Sequence, residues 1–194
     1  FVKAANCIKE LVDMGAFIDG ATGLSNDEAS ASFYAEQVPM YFTGSWMGGS
    51  IVTDAEKPDN FAVAPIPVVN SKNASVTDFM GGGSDTLMVS ANTKNKDLAA
   101  AAAFEITRGV SKHAYLSGAG IPAWTVDYDA SSVPALTQQV ADIAGKATSY
   151  TLWFDTLMSS DDAGEYLTLL QSLFAGDLKP EEFAASMDKQ LSKK

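Results

Sequence analysis

The chain has 194 residues, of which 46% are apolar and 19% are charged, so it can bury a core and form one domain or two small ones. Its net charge of −11 repels nucleic acid and anionic membrane surfaces, and neither is expected as a partner. Arg108 is the only arginine and Cys7 the only cysteine, which excludes an arginine cluster for phosphate and an internal disulfide. Cys7 lies in a helical pattern, and we expect it to be a small buried apolar residue.

The first quarter of the chain carries two helix patterns. Phe1–Met14 has its apolar residues on one face, which predicts an amphipathic helix that ends at Gly15. Ser25–Glu28 has the sequence of a capping box and predicts a second helix that runs to about Glu36. Phe33 is the expected core residue of this second helix.

The next stretch combines an apolar run with a tryptophan. Val38–Phe42 predicts a buried strand, Gly44 allows a tight turn, and Ser45 is a candidate N-cap for a following helix. Trp46 would then lie at the carboxyl end of a strand, where open α/β sheets bind ligands. Two interpretations stay open at this point: a core aromatic that closes the end of a sheet, or a binding face. Gly48-Gly49 would also let backbone approach a ligand closely.

Two further strands are predicted on either side of a run of three glycines. Phe61–Val68 and Thr86–Ser90 have strand-like patterns, and Gly81–Gly83 precedes the second of them. Three consecutive glycines are costly in conformational entropy, so they indicate a bulge or crossing of the backbone, backbone N–H groups exposed to a ligand, or both. They do not form a phosphate loop, because neither Lys-Ser nor Lys-Thr follows and a strand pattern comes next.

The middle of the chain is predicted to be helical. Leu98–Val110 favours a long helix, and Ser111 is a candidate cap for a further turn at His113–Leu116. His113 is the only histidine and has no Cys or carboxylate at metal-ligand spacing, so we expect a surface residue. Gly118–Ala123 matches a dinucleotide fingerprint only formally, because a helix precedes it and a proline stands where a helix should start.

The last third contains helix patterns and one aromatic loop. Helices are predicted after Pro134, from Asp161-Asp162 and from Pro180. Trp153 and Asp155 stand two residues apart in a loop between them. They would either stack on and hydrogen-bond a polyol or fix the loop to the core, and both interpretations stay open.

No catalytic constellation is evident in the sequence. Cys and Ser lack a supported histidine, and no cluster has metal-ligand spacing. The many acids are compatible with a carboxylate pair of the kind that glycosidases use. Two classes therefore stay open: a binding module with an aromatic cleft, and a carbohydrate-cleaving domain that uses an Asp/Glu pair.

Several short motifs follow one another along nearly the whole chain. They are Glu28-Ala29, Phe33, Val38-Pro39-Met40, Gly44-Ser45-Trp46, Val63-Ala64-Pro65-Ile66-Pro67, Gly82-Gly83, the helix after Lys94-Asn95, Ser117-Gly118-x-Gly120-Ile121-Pro122-Ala123 and Gly176-x-x-x-Pro180-Glu181-Glu182. In this order and spacing they resemble the C-terminal half of the extracellular sugar-binding proteins of ABC importers, the maltose-binding-protein-like family.

The resemblance implies an α/β, periplasmic-binding-protein-like (type II) fold with two lobes joined by crossing strands. Residues 1–77 would belong to the second lobe, and 78–129 to the first lobe with a crossing strand. Residues 130–194 would be helices that return to the second lobe. The chain is then expected to be a C-terminal fragment of a protein whose lobes close on a sugar by a hinge motion.

The resemblance also implies a binding site. The substrate-binding residues it indicates are Trp46, Ser45, Gly82, Gly83, Trp153 and Asp155. Trp46 matches the family's sugar-stacking tryptophan, and the two glycines match the pair at its cleft. The late helix departs from the family, since Asp162–Gly164 stands where the maltose binder carries an aromatic residue. Trp153 or Asp155 is therefore expected to take that role.

The function implied by the resemblance is that of an extracytoplasmic solute-binding component of an ABC transporter. It would capture a mono- or oligosaccharide between the lobes and deliver it to the permease subunits in the membrane. No enzymatic activity, cofactor or metal is expected. The protein would lie in the periplasm or on the outer face of the cell membrane, attached only through a lipid anchor in the N-terminal part. A carbohydrate-active hydrolase is the alternative.

Overall fold

The computed structural model describes residues 1–82 and 85–192, and within these ranges most of the ordered backbone is helical. The helices are α1 (Val2–Asp13), α2 (Asn26–Tyr34), α3 (Met47–Asp54), α4 (Lys96–Ser117), α5 (Ala135–Ala144), α6 (Ser160–Ala175) and α7 (Pro180–Leu191). The strands are β1 (Asp78–Met80) and β2 (Ser149–Thr151). None of the described helices is long and apolar enough to cross a membrane.

The chain divides into two compact units. Unit 1 combines Phe1–Ser32 with the segment from Leu152 onward, and unit 2 is the continuous segment Phe33–Thr151. The predicted assignment of residues 1–77, 78–129 and 130–194 to the lobes of a larger protein is a separate matter and stays a prediction.

Unit 1 is built on helices α1, α6 and α7, which pack against one another. Its core consists of Ala5, Leu173, Phe183 and Met187, with Ile8, Met158, Tyr166, Leu169, Leu170 and Leu178 packed around them. The helix starts follow the predicted local signals. Ser25 Oγ accepts a 3.3 Å hydrogen bond from the Glu28 N–H, and Glu28 Oε2 accepts one of 2.8 Å from the Ser25 N–H. Helix α7 begins at Pro180, as predicted.

The prediction for Cys7 is wrong, because this side chain is exposed. The inward face of α1 runs through Ala5, which is buried, and Ile8, three residues later, which packs on the core. Two residues along a helix correspond to about 200° of rotation, so Cys7 lies on the opposite side from Ala5.

Unit 2 has its core where α3 and α5 meet. Met47, Ile51, Ala55 and Leu136 are buried there, and Phe33, Tyr34, Tyr41, Phe61 and Val63 pack around them. Phe33 stacks edge-to-face on Phe61 with 5.0 Å between ring centroids, so it contributes to the core as predicted. The side chains around α3 therefore come from the segments before and after it.

The three predicted strands Val38–Phe42, Phe61–Val68 and Thr86–Ser90 are wrong, since the structure has no strand in any of them. A strand needs a neighbour to pair its backbone N–H and C=O groups, and these segments have none among the described residues. Met40 and Met88 are 84% and 89% exposed, which a buried strand would not allow.

The parallel pairing of β1 with β2 forms the one sheet of the described residues. Thr148 N–H donates to the Thr77 carbonyl before the ladder, and Gly81 N–H donates to the Thr151 carbonyl after it, each over 2.9 Å. Gly81 and Gly82 then have φ values of +118° and +154°. Side chains are rare at such angles, so this backbone explains the glycines without a ligand.

Helix α4 is longer than predicted. It is a single helix from Lys96 to Ser117, whereas the sequence predicts a break at Ser111. Ser111 lies inside the helix and is not a cap. Its Oγ accepts a 3.0 Å hydrogen bond from the Ala123 N–H, which gives the hydroxyl a partner outside the helix. His113 is exposed, as predicted.

Candidate functional site

The start of α3 carries the tryptophan that the sequence singles out. The helix begins at Met47, and Trp46 is the N-cap residue with no side-chain cap. The prediction that Ser45 is the N-cap is therefore wrong by one position. Ser45 lies in the turn before the helix, where the Met47 N–H donates to the Gly44 carbonyl over 3.4 Å and takes the place of a side-chain cap.

The glycines of α3 hold this helix against its neighbours in unit 2. A Cβ on Gly48 would overlap Thr137 Oγ1 on α5, and Thr137 is fully buried. Gly49 N–H donates to the Gly118 carbonyl over 2.9 Å, and a Cβ on Gly49 would meet the Ser117 carbonyl oxygen. Gly48 and Gly49 thus allow close packing of helices. The expectation that they let backbone approach a ligand has no support in these contacts.

Trp46 is 56% exposed, although Met47 beside it and Ile51 one turn later are buried. This exposure is incompatible with a core aromatic that closes the end of a sheet. The exposed indole offers a flat apolar surface and one N–H donor. The structure thus favours the second of the two interpretations, and the ligand role of Trp46 stays a prediction.

The ring of Trp46 lies against Gly44. A Cβ on Gly44 would overlap the ring carbons Cζ3, Cη2 and Cε3 of Trp46. The six-membered part of the indole thus occupies the space that a side chain at position 44 would need. The backbone of Gly44 supports one side of the indole, and the exposed remainder is free for a ligand.

Trp153 lies in unit 1, just before a 3₁₀ turn at Phe154–Leu157. Its neighbour Phe154 packs on Phe1 and Tyr166, with ring centroids 5.7 and 5.5 Å apart. Trp153 itself is 38% exposed, and its carbonyl accepts a 2.6 Å hydrogen bond from Thr156 Oγ1. Phe154 therefore contacts the core of unit 1, and the two interpretations of Trp153 stay open.

Asp155 is half-buried and lies near Tyr166. Burial raises the pKa of Tyr166 above its ordinary value, and the negative charge of Asp155 raises it further. Asp155 follows Trp153 by two residues in the same loop. Whether these two residues contact a sugar stays a prediction.

The glycines predicted at the cleft are only partly described. Gly82 is exposed directly after β1, whereas Gly83 lies outside the described residues. The positive φ of Gly82 gives it a conformational reason to be glycine, and its ligand role stays a prediction.

Unit 2 also contains a cavity of about 260 Å³ that could not be predicted from the sequence, because α4 and the segment after it form it together. It is lined by Glu105, Arg108, Gly109, Ser111, Lys112, Trp124, Thr125, Asp127 and Tyr128. Arg108 pairs with Asp127 over 2.7 Å, and Lys112 Nζ lies 4.7 Å from the centre of the Tyr128 ring. Both cationic side chains of the cavity already have partners within the protein. The exposed indole of Trp46 is therefore the stronger candidate for a ligand contact.

The sequence profile of the bacterial extracellular solute-binding proteins matches residues 3–104. The chain belongs to this family. No curated protein sequence matches the chain. The family description, an extracellular protein, agrees with the predicted location outside the cytoplasm.

Two solved structures are similar to the chain over almost its whole length. One comes from work on xylan utilization by the thermophilic bacterium Caldanaerobius polysaccharolyticus. It has 31% sequence identity and a TM-score of 0.85, and the match covers 97% of this chain and 49% of the other. The second is a chitin oligosaccharide binding protein with 22% identity and a TM-score of 0.80, where the match covers 98% of this chain and 48% of the other.

The chain therefore spans about half the length of the structures it matches. Their high structural similarity confirms the predicted α/β solute-binding-protein fold, here in a partial form.

Proposed function

We propose that this chain is part of the carbohydrate-capturing component of a bacterial ABC importer, and that the exposed face of Trp46 binds the sugar. The observation that carries the proposal is an indole 56% exposed on a fixed helix start, in a chain of the solute-binding family. The similarity at 31% identity to a structure from work on xylan utilization supports a carbohydrate as the solute.

The chemistry of a pyranose fits such a face. A sugar ring presents apolar C–H groups on its faces and hydroxyl groups around its edge. An indole covers the apolar face, and carboxylates accept hydrogen bonds from hydroxyl groups. Because α3 is docked through Gly48 and Gly49, the indole is pre-positioned, and binding loses less conformational entropy.

The proposed protein binds its sugar and does not cleave it. Family membership and the similarity to a protein of xylan utilization support binding, and no observation favours an Asp/Glu pair of a hydrolase. The proposed partners are the permease subunits of the importer. The proposed location is the periplasm or the outer face of the membrane, with a lipid anchor in the second case.

A thermal-shift series on the full-length gene product tests the proposal. Xylo-oligosaccharides are the first probes, followed by malto- and chito-oligosaccharides and their monosaccharides. A ligand of the native state at a hundred times its Kd adds about 2.7 kcal/mol to the free energy of unfolding, so Tm should rise with ligand concentration. The same samples should release no new reducing ends during incubation. A protein that no sugar stabilises, or one that hydrolyses the probe, would contradict the proposal.

A further inference from the structure

The backbone conformation of Gly44 does not require a glycine. Its φ lies outside the left-handed region, so its backbone conformation is open to other residues. The neighbour that excludes a side chain is Trp46, whose ring carbons Cζ3, Cη2 and Cε3 would overlap a Cβ at this position.

Two contacts bear on the position of Trp46. Its backbone is fixed by the docking of α3, in which the Gly49 N–H donates to the Gly118 carbonyl over 2.9 Å. Its six-membered ring rests against the Gly44 backbone, and more than half of its surface remains open to solvent. A methyl group at position 44 would displace the ring and leave the helix start in place.

We propose that Gly44 is the positioning residue of Trp46: the absence of a side chain at position 44 fixes where the indole lies and thereby the affinity for sugar. This inference rests on the proposed function, because the affinity it refers to is that of the proposed sugar site. Gly44 acts through Trp46 and does not need to contact the sugar.

A double-mutant cycle with Gly44→Ala and Trp46→Ala tests this in the full-length gene product, by calorimetric titration with the sugar found in the thermal-shift series. Gly44→Ala should lower affinity by between about fivefold and thirtyfold, the upper figure corresponding to full loss of an aromatic anchor. In the Trp46→Ala background the same change should alter affinity less than about twofold, because no ring is left to displace. Gly23→Ala is the matched control, since a Cβ there has open space and should leave affinity unchanged.

A ligand-free measurement separates the inference from the proposed function. The emission of Trp46 is taken as the difference between otherwise identical proteins with and without Trp46→Phe. Gly44→Ala should change the acrylamide quenching of this emission while Tm stays within a few degrees. Unchanged quenching would overturn the inference, and so would an equal affinity loss with and without Trp46. An unchanged affinity of Gly44→Ala would also overturn it where Trp46→Ala itself lowers affinity. If Trp46→Ala alone leaves affinity unchanged while quenching responds to Gly44→Ala, the positioning of the ring is supported and its place in the sugar site is refuted.

Discussion

Replacement of Trp46 by alanine separates a binding face from a packing residue. A little under half of the Trp46 surface is covered, whereas a fully buried aromatic covers about 150–250 Å². About 100 Å² at about 25 cal/mol per Å² gives at most about 2.5 kcal/mol of stability, and a compact unfolded state reduces this toward about 1–2 kcal/mol. A buried core Trp would cost about 3–5 kcal/mol.

The effect on binding should be the larger one. Loss of an aromatic anchor that is desolvated by the ligand costs about 2 kcal/mol or more, which is roughly thirtyfold in affinity. The assays are urea unfolding without ligand and calorimetric titration with the sugar, both on the full-length gene product.

Trp124→Ala is the matched control for Trp46→Ala. Trp124 is in the same unit and 40% exposed, and its ring stacks edge-to-face on Phe104 at 5.0 Å. Its loss of stability should be similar to that of Trp46→Ala, while its affinity should stay within about twofold of the parent. A folded Trp46→Ala protein with parental affinity would refute the assignment of Trp46, and Trp153 would become the next candidate.

Two further predictions concern the framework of unit 2. Gly48→Ala should lower the free energy of unfolding by about 1–3 kcal/mol, because the new methyl group overlaps the buried Thr137 on α5; a urea midpoint equal to that of the parent would contradict this packing. The hydroxyl of Ser149 (2.7 Å) and the backbone N–H of Ser75 (2.6 Å) donate to Asp78 and lower its pKa below the ordinary 3.8, with Ser149 the larger cause. Since the folded-state pKa is the lower one, the stabilisation is present above pH 3.8 and is lost as the pH falls through the folded value, so Asp78→Asn should reduce the acid dependence of unfolding below about pH 4. Urea titrations from pH 2 to 6 measure this dependence, and identical curves for the two proteins would exclude a role for the Asp78 carboxylate.

The helices could be predicted from the sequence because their signals are local. The reciprocal bonds between Ser25 and Glu28 need only residues three apart, and Pro180 fits the first turn of a helix by its own ring geometry. The strands could not be predicted in the same way. Asp78 and Ser149 pair across 71 residues, whereas the apolar run Val38–Phe42 forms no strand.

The candidate site was only partly predictable for the same reason. Trp46 stands out in the sequence as an aromatic residue after a turn glycine, although the strand expected before it does not exist. The function of Gly48 and Gly49 depends on Thr137 and Gly118, which are more than sixty residues away in sequence, and no local signal identifies that contact.

Three glycines, Gly44, Gly48 and Gly49, surround the position of Trp46 at the start of α3. Gly48 and Gly49 leave no side chain between α3 and its neighbours, so the helix packs closely, and the Trp46 ring occupies the space that a side chain at Gly44 would need. An exposed aromatic that is free to rotate would lose its rotamer freedom on binding, at a cost of about 0.5–1.5 kcal/mol per side chain. Here packing restrains the ring before the ligand arrives. If the indole binds sugar as proposed, glycine at these three positions contributes to affinity through the absence of a side chain, with no need for a contact to the sugar.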